Sequence, residues 1–212
     1  MAGTLLPVFG AISVAGELSV TVQQTDARAA DAAVVVVVEP AMPAPASHTA
    51  LKATMNQKEL MFSPEILVVR TGTAVEFPNG DSVRHQVYSF SAAKKFQLSL
   101  YSGTAHAPVI FDKPGVVTIG CNIHDGMIGY IVVTDSPWFG RTGKDGDISF
   151  QNLPAGEYTV RIWHPRITDS AATLTRAVAV AATEPTRLLM TLQKALSPAT
   201  HNHGTATRWE DY

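Results

Sequence analysis

A cysteine, a histidine and a methionine stand at positions 121, 124 and 127, directly after a β-branched run at 116–119. Valine, isoleucine and threonine favour strands, so the sequence predicts that Cys121 lies at a strand end. The turn that follows would then fold His124 and Met127 over its thiol. This cysteine is the only one in the chain, which excludes an internal disulfide and leaves the thiol free for chemistry.

These three side chains form a soft donor set for a metal ion. Two histidines, one cysteine and a long axial methionine make the blue-copper site, in which copper alternates between Cu(I) and Cu(II). A second histidine must therefore come from a distant part of the chain. His85 is the best candidate, because alternation at 83–90 predicts a strand, and His106, in a polar loop, is the fallback.

Each of these residues also has an ordinary structural interpretation. A lone cysteine is often a small buried hydrophobe, and a methionine often fills a gap in a core. A histidine in a strand can be a hydrogen-bonded core residue. Three donors within positions 121–127 favour the metal-ligand interpretation, because chance rarely places them together.

The segment from about 55 to 134 resembles the cupredoxins, in particular amicyanin and, more loosely, plastocyanin. The resemblance is carried by Phe62-x-Pro64, by the strand with His85, by Phe-Asp-Lys-Pro-Gly at 111–115 and by the Cys-x2-His-x2-Met motif. It implies a Greek-key β-sandwich that binds one copper ion, held by His85, Cys121, His124 and Met127. The role that it implies is that of a type 1 (blue) copper protein carrying single electrons.

The resemblance also implies surroundings for this site. The edge of the His124 ring would lie at the surface within an apolar patch on which a redox partner docks. The patch would be formed by Ile123, Met127, Ile128 and Pro108. Around the metal ligands, the Asn79 side chain and the backbone N–H of Gln86 would tie the two ligand loops together, as groups behind metal ligands commonly do.

Two positions depart from the relatives that the segment resembles. Ile123 and Asp125 flank His124 where amicyanin has prolines, and the Asp125 charge would lower the reduction potential and favour a basic partner. Gly120 stands directly before the cysteine, where plastocyanin has an aromatic residue. A second electron exit through residue 120 is therefore not expected.

Composition excludes several other classes of function. The chain has 212 residues, 46% hydrophobic residues and 16% charged residues, as expected of a globular protein with a sizeable core. A net charge of −2 without a basic cluster argues against nucleic-acid binding. No nucleophile elbow, phosphate-binding loop or zinc-protease helix occurs, and a multicopper oxidase would need further His-x-His pairs, so we expect no enzymatic activity.

The first residues predict export from the cytoplasm. Residues 1–15 contain an apolar run that ends in small residues, as a secretory signal peptide does, although no Lys or Arg precedes it. The alternatives are an ordinary apolar strand or a misplaced start codon. No stretch is long and apolar enough for a predicted transmembrane helix. From the apolar run at 1–15, we expect the protein to be periplasmic.

A second β-rich region flanks the cupredoxin-like segment. The run at 145–158 reads Asp-Gly-x-apolar, then Leu-Pro-x-Gly-x-Tyr, and resembles the carboxypeptidase regulatory-like domain, a small transthyretin-like β-sandwich. Glycine at 146 is expected to take a positive φ in a turn. Strands are predicted at 18–22, 33–38, 147–150, 158–163, 176–181 and 187–192.

The resulting layout is discontinuous and all-β. Residues 16–39 and 140–193 form the regulatory-like sandwich, and the cupredoxin domain at 51–136 is inserted after a Pro/Ala-rich linker at 40–50. The alternative is a tandem arrangement with an incomplete second domain. Residues 197–212 are predicted to be a disordered tail.

The sequence thus predicts a periplasmic electron carrier with a copper site. Bacterial methylamine-utilisation-type proteins combine domains of these two kinds. The expected partner is an unidentified redox protein, either a cytochrome or a dehydrogenase. The alternative function is a copper-binding or copper-delivery module without redox activity, or a structural recognition module on a cupredoxin fold.

Overall fold

The computed structural model describes residues 15–26, 28–30, 32–42, 51–104, 106–171 and 173–198. Within these ranges the chain forms strands, turns and bends and no helix, which confirms the all-β prediction. Residues 1–14 of the predicted signal peptide, residues 43–50 of the predicted linker and residues 199–212 of the predicted tail lie outside the described ranges.

Short strands account for most of the described chain. They are β1 (Ala15–Gln24), β2 (Val35–Pro40), β3 (Lys52–Thr54), β4 (Asn56–Lys58), β5 (Met61–Ser63), β6 (Ile66–Arg70), β7 (Thr73–Glu76), β8 (His85–Ser89), β9 (Phe96–Tyr101), β10 (Val109–Phe111), β11 (Gly115–Gly120), β12 (Ile128–Thr134), β13 (Trp138–Arg141), β14 (Asp147–Pro154), β15 (Gly156–Trp163), β16 (Thr175–Val180) and β17 (Thr186–Leu192). Apolar residues alternate along most of them, as a strand with one face in a core requires.

Strands β3 to β12 form one sandwich, which we call the middle sandwich. Its larger sheet has the order β6-β12-β11-β8-β9, its smaller sheet has the order β10-β7-β3, and β4 and β5 form a hairpin. The core between the sheets includes Val75, Val87, Phe111, Val117 and Ile131, all 0% exposed. This core extends to Cys121 and Met127 at one end, which places the candidate metal ligands at the end of the sandwich.

The remaining strands form a second unit, which we call the flanking sandwich. Its sheets have the orders β14-β1-β17 and β13-β2-β15-β16. Thus β1 pairs antiparallel with β14 and parallel with β17, while β2 lies between β13 and β15. Both N-terminal strands therefore pair with strands beyond residue 137. A discontinuous layout requires this pairing, but the domain boundaries and the regulatory-like assignment stay predictions.

A third apolar cluster joins the two sandwiches. Val35 and Val37 of β2 pack with Ile66 of β6 and Val132 of β12. Beside them the rings of Tyr130 and Trp163 meet edge to face, with centroids 5.5 Å apart. This contact covers the outer face of the larger middle sheet at the end away from Cys121.

The turn before β14 has the predicted backbone. Gly146 has a φ of +80°, which confirms the positive φ expected from the Asp-Gly pair. A Cβ atom at this position would lie 2.3 Å from the Val22 carbonyl oxygen, so a side chain would collide with β1. Glycine is therefore required here by both backbone conformation and close approach.

Candidate metal centre

His85 begins β8 and is fully buried. The strand alternates regularly, with His85, Val87 and Ser89 facing inward. Pairing with β9 shifts register between His85 and Val87, which marks an irregularity next to the histidine. The inward side of β8 therefore delivers an imidazole to the end of the core, as the alternation in the sequence predicts.

The loop after β11 delivers the other two donors. Its ends are tied together by the Cys121 N–H, which donates to the Met127 carbonyl at 3.1 Å, and by the Met127 N–H, which donates to the His124 carbonyl at 3.3 Å. Gly126 has a φ of +78°, a conformation that closes the turn and that glycine adopts without strain. The loop therefore folds back on Cys121.

The structure brings His85, Cys121 and His124 together. Their donor atoms lie within 4.8 Å of one another. The Cys121 sulfur is 3.9 Å from Nδ1 of His85 and 3.6 Å from Nδ1 of His124, and the two Nδ1 atoms are 3.0 Å apart. His106 is elsewhere, with its ring against Tyr101 and its Nε2 near the Ser99 carbonyl. The donor set is one sulfur and two nitrogens, which fits copper.

The state of His124 also favours metal binding. Desolvation of its partly buried ring, together with the neighbouring His85, lowers the pKa of His124 below its ordinary value of 6.5, although Asp81 acts in the opposite direction. A lower pKa keeps the imidazole neutral near pH 7. A neutral imidazole has the free lone pair that a metal ion needs.

Asp81 contacts the candidate site, although nothing in the sequence predicts it. Its Oδ2 lies 2.8 Å from Nε2 of His85. The same carboxylate accepts the N–H groups of Glu59, at 2.7 Å, and Leu60, at 3.0 Å, in the turn of the β4–β5 hairpin. One side chain therefore holds both a buried donor histidine and a neighbouring turn.

Asp81 sets the tautomer of His85. Partial burial by itself raises the pKa of Asp81, but hydrogen bonds from Leu60, His85 and Glu59 outweigh it, and the pKa lies below its ordinary value of 3.8. The ionised carboxylate can only accept, so Nε2 of His85 carries the proton. When the ring is neutral, its lone pair is therefore on Nδ1, the atom that faces Cys121 and His124.

Asn79 lies behind the site, and its side chain forms hydrogen bonds with the turn before His85 and with the end of β9. Its amide nitrogen donates to the carbonyls of Val83, at 2.8 Å, and Tyr101, at 2.9 Å, and its oxygen accepts the Asp81 N–H at 2.9 Å. These bonds brace the turn before His85 against the end of β9. They do not join that turn to the loop after Cys121. Gln86 is half-buried in β8, and the role of its N–H stays a prediction.

The predicted docking residues differ in exposure. Ile123 is 50% exposed and Ile128 is 38% exposed, and Pro108 also lies at the surface. Met127 is only 3% exposed, because its side chain packs in the core that also contains Cys121. Its place in an exposed patch therefore does not agree with the structure, while its role as an axial ligand stays a prediction.

Comparisons with known proteins find similarity at the level of structure. No protein-family model matches the sequence, and no curated protein matches it. A Cu-containing nitrite reductase from Thermus scotoductus is 27% identical over 44% of this chain, with a TM-score of 0.37. The matched part is 25% of that reductase chain, so this chain spans about a quarter of its length.

Two smaller proteins match over nearly their whole length. A purple cupredoxin from Nitrosopumilus maritimus is 22% identical over 40% of this chain and 99% of its own, with a TM-score of 0.34. Amicyanin from Paracoccus versutus is 14% identical over 45% of this chain and 96% of its own, with a TM-score of 0.35. These neighbours have cupredoxin folds, and each of the three proteins matches less than half of this chain.

Proposed function

We propose that the chain is a type 1 (blue) copper protein that carries single electrons between redox partners in the periplasm. The observation that carries this proposal is the convergence of His85, Cys121 and His124, whose three donor atoms lie within 4.8 Å of one another. His85 is distant in sequence from the other two, and Cys121 and His124 lie three residues apart in one loop. The fold therefore brings one thiol and two imidazoles to one place, and these three donors together suit a soft metal ion.

The residues fit copper better than they fit hard cations such as calcium or magnesium. His85, Cys121 and His124 would hold the ion, and Met127 would be the weak axial ligand. Copper bound there would supply a one-electron couple between Cu(I) and Cu(II). Harder cations prefer oxygen donors, which this set does not offer.

The chain's own residues limit rearrangement at the site. His85 is 0% exposed and Cys121 is 8% exposed, so water is largely excluded from both. Asp81 and the backbone bonds of the 121–127 loop restrict movement of the donors. A site that keeps one geometry in both oxidation states exchanges electrons with little reorganisation.

His124 is the donor nearest to a partner. Its ring is only partly buried, and Ile123 beside it is 50% exposed. An apolar surface beside a redox site is suited to transient docking of a protein. The partner would be a cytochrome or a dehydrogenase, and the protein itself would carry electrons without catalysing a reaction.

The proposed location rests on the N-terminal sequence. An apolar run ending in small residues at 1–15 is typical of exported proteins. Among the described residues, no helix has the length and apolar character needed to cross a membrane.

An absorption spectrum of the full chain loaded with Cu(II) tests this function. We expect an intense visible band from the bond between thiolate and copper. Cys121→Ser should abolish the band, and His85→Gln should abolish or shift it. His106→Gln is the matched control, because this histidine lies outside the donor cluster and its loss should leave the band intact.

A colourless Cu(II)-loaded chain would contradict the proposal. So would a band that Cys121→Ser leaves unchanged. Tight copper binding without the band would instead favour the copper-binding or copper-delivery alternative.

A further inference from the structure

The valine run of β2 has two apolar faces. Residues 34–38 are all valine. Val36 and Val38 belong to the core of the flanking sandwich, whereas Val35 and Val37 belong to the cluster that joins the two sandwiches. A strand with one buried face alternates apolar and polar residues, so a continuous apolar run is typical of a strand covered on both sides. The second face of β2 is therefore turned toward the middle sandwich.

A cleft lies beside the contact between the two sandwiches. Its volume is about 730 Å³. Val37, Trp163 and Leu174 line it from the flanking sandwich, and Val116 and Val132 line it from the middle sandwich. Because sheets are twisted, two sheet faces that touch at one place separate away from it. The cleft is thus a consequence of how the outer faces of the two sheets meet.

The size and lining of the cleft suit a small molecule. Small-molecule sites typically have volumes of about 300–1,000 Å³, have mostly apolar linings with a few polar groups, and often lie between domains. Val37 and Val132 are each 7% exposed, so the cleft ends on buried aliphatic side chains. These side chains would hold the apolar body of a ligand, and the polar groups would determine which ligand binds.

The charges in the cleft favour a cation. Its ionisable side chains among the described residues are Glu39, Asp135 and Arg161. Nε of Arg161 donates to Oε2 of Glu39 at 2.7 Å, so these two charges compensate each other. Asp135 is exposed and forms no ion pair within the described ranges. One negative charge is left without a counterpart, and a ligand with one positive charge complements it.

Trp163 adds an aromatic surface to the same cleft. Its indole is half-buried, and it meets the Tyr130 ring edge to face with centroids 5.5 Å apart. Among aromatic side chains, the indole attracts organic cations most strongly. An aliphatic lining, an indole and an unpaired carboxylate together suit a molecule that is apolar over most of its surface and positively charged at one end.

We propose that the cleft between the two sandwiches binds a small amphipathic cation, an organic ammonium ion with an aromatic or alkyl body. The body packs on the aliphatic lining, and the ammonium group lies toward Asp135. This site is separate from the candidate metal centre, because β11 and β12 carry cleft residues such as Val116 and Val132 at one end and lead to Cys121 and Met127 at the other. The inference goes beyond the proposed function and does not depend on copper.

The first test compares three probes that share one apolar body and differ in charge. They are 4-phenylbutylammonium, 4-phenylbutan-1-ol and 4-phenylbutanoate, titrated into the ¹⁵N-labelled full chain. We expect saturable changes in the NMR shifts of the amides at 115–116, 132–136, 161–163 and 174–175. The ammonium should bind most tightly and the carboxylate most weakly. The copper-free chain and the Cu(I)-loaded chain should bind the ammonium equally.

The second test removes the two groups that would recognise the cation. Asp135→Asn should weaken ammonium binding by about twofold to fivefold, as expected for an exposed charge, and leave binding of the alcohol unchanged. Asp145→Asn is the matched control, because it removes the same charge from an exposed turn outside the cleft. Trp163→Leu keeps an apolar side chain in the cleft and should weaken the ammonium more than the alcohol. Asp135 is exposed, so the test does not depend on whether Trp163→Leu folds.

Four outcomes would overturn the proposal. They are the absence of saturable shifts in the cleft, a carboxylate that binds as tightly as the ammonium, an ammonium affinity that Asp135→Asn leaves unchanged, and the same shifts on concentrating the protein without a probe. The last outcome would assign the cleft to a second copy of the chain. All four are measured on the copper-free chain, so they are distinguishable from a missing visible band, which contradicts the proposed function alone.

Discussion

The flanking sandwich has a mainly aliphatic core, whereas the middle sandwich also has two fully inaccessible hydrogen-bonding side chains, Gln57 and His85. In the flanking sandwich the fully buried residues of the shared core are Leu18, Val20, Val22, Val34, Val36, Val38, Leu153, Val160 and Leu192. In the middle sandwich, Gln57 and His85 are equally inaccessible and Asn79 is 5% exposed. In both units, buried residues alternate with more exposed residues along the strands.

The difference lies at the end of the middle sandwich that carries the candidate metal centre. A buried polar group costs free energy unless a partner compensates it. Asn79 and His85 are compensated by the Val83 carbonyl and by Asp81, respectively. The flanking sandwich has buried polar side chains such as Thr142 and His164, but among its described residues they form no group of metal donors, and this unit is suited to the role of a scaffold. The predictions below test this division of roles.

The largest expected effect is on stability in the flanking sandwich. Leu18→Ala removes a side chain that is 0% exposed, and it should cost about 2–5 kcal/mol in the free energy of unfolding through lost burial and a residual cavity. Urea unfolding measures this loss. The visible band per bound copper should stay unchanged below the transition.

Leu189→Ala is the matched control, because its side chain is 54% exposed in the same sandwich. It should change stability by no more than about 0.5 kcal/mol. If Leu18→Ala altered the visible band of the folded protein, the flanking sandwich would be part of the site and the division would fail.

The next effect is on copper affinity in the middle sandwich. Asp81→Ala frees the His85 ring from its carboxylate and should weaken copper binding about 10-fold to 100-fold. Competition with a chelator of known affinity measures the change. A shifted visible band at saturating copper would show that the orientation of His85 has changed as well.

Asp125→Ala tests whether Asp81 acts by orienting the His85 ring or by its negative charge. Asp125 is exposed and adjacent to His124, so its removal takes the same charge from the site without touching His85. We expect a much smaller loss of affinity. Equal losses in the two variants would mean that charge, and not the bond to His85, explains the role of Asp81.

The smallest effect is on the pH dependence of stability. The pKa of His124 is below 6.5 in the folded chain, so between that lowered value and 6.5 the unfolded chain binds more protons than the folded chain. Stability of the copper-free protein should therefore be fully present above pH 6.5 and fall as pH drops through this window. His124→Gln should flatten that slope.

Urea midpoints measured from neutral pH to pH 5 check this sign. His106→Gln is the control, because this ring is near the surface and outside the donor cluster. If stability rose on acidification through the window, the lowered pKa would be wrong.

The main donors could be predicted because their signals are local. Alternation along β8 predicts the strand that carries His85, and the Cys-x2-His spacing after a β-branched run predicts a turn that folds back over Cys121. Strand positions were predicted for the same reason. Boundaries were less accurate: β14 extends to Pro154, beyond the predicted end at 150, because β1 continues to pair with it.

Asp81 could not be predicted from its surroundings in sequence. In Asn79-Gly80-Asp81-Ser82 it reads as one turn residue among several. Its role depends on the β4–β5 turn, more than 20 residues earlier, with bonds to the amides at 59 and 60. Spacing of four residues from His85 was the one local hint.

The sequence by itself determined the all-β architecture, the strand that carries His85 and the chemistry of the donor set. These depend on side-chain type and on a period of two residues, which are local properties. Only the tertiary structure decided which carboxylate holds His85 and which charged side chains line the cleft between the sandwiches. Both arrangements join separate strands or loops, so they depend on strand register and on the packing of one element against another.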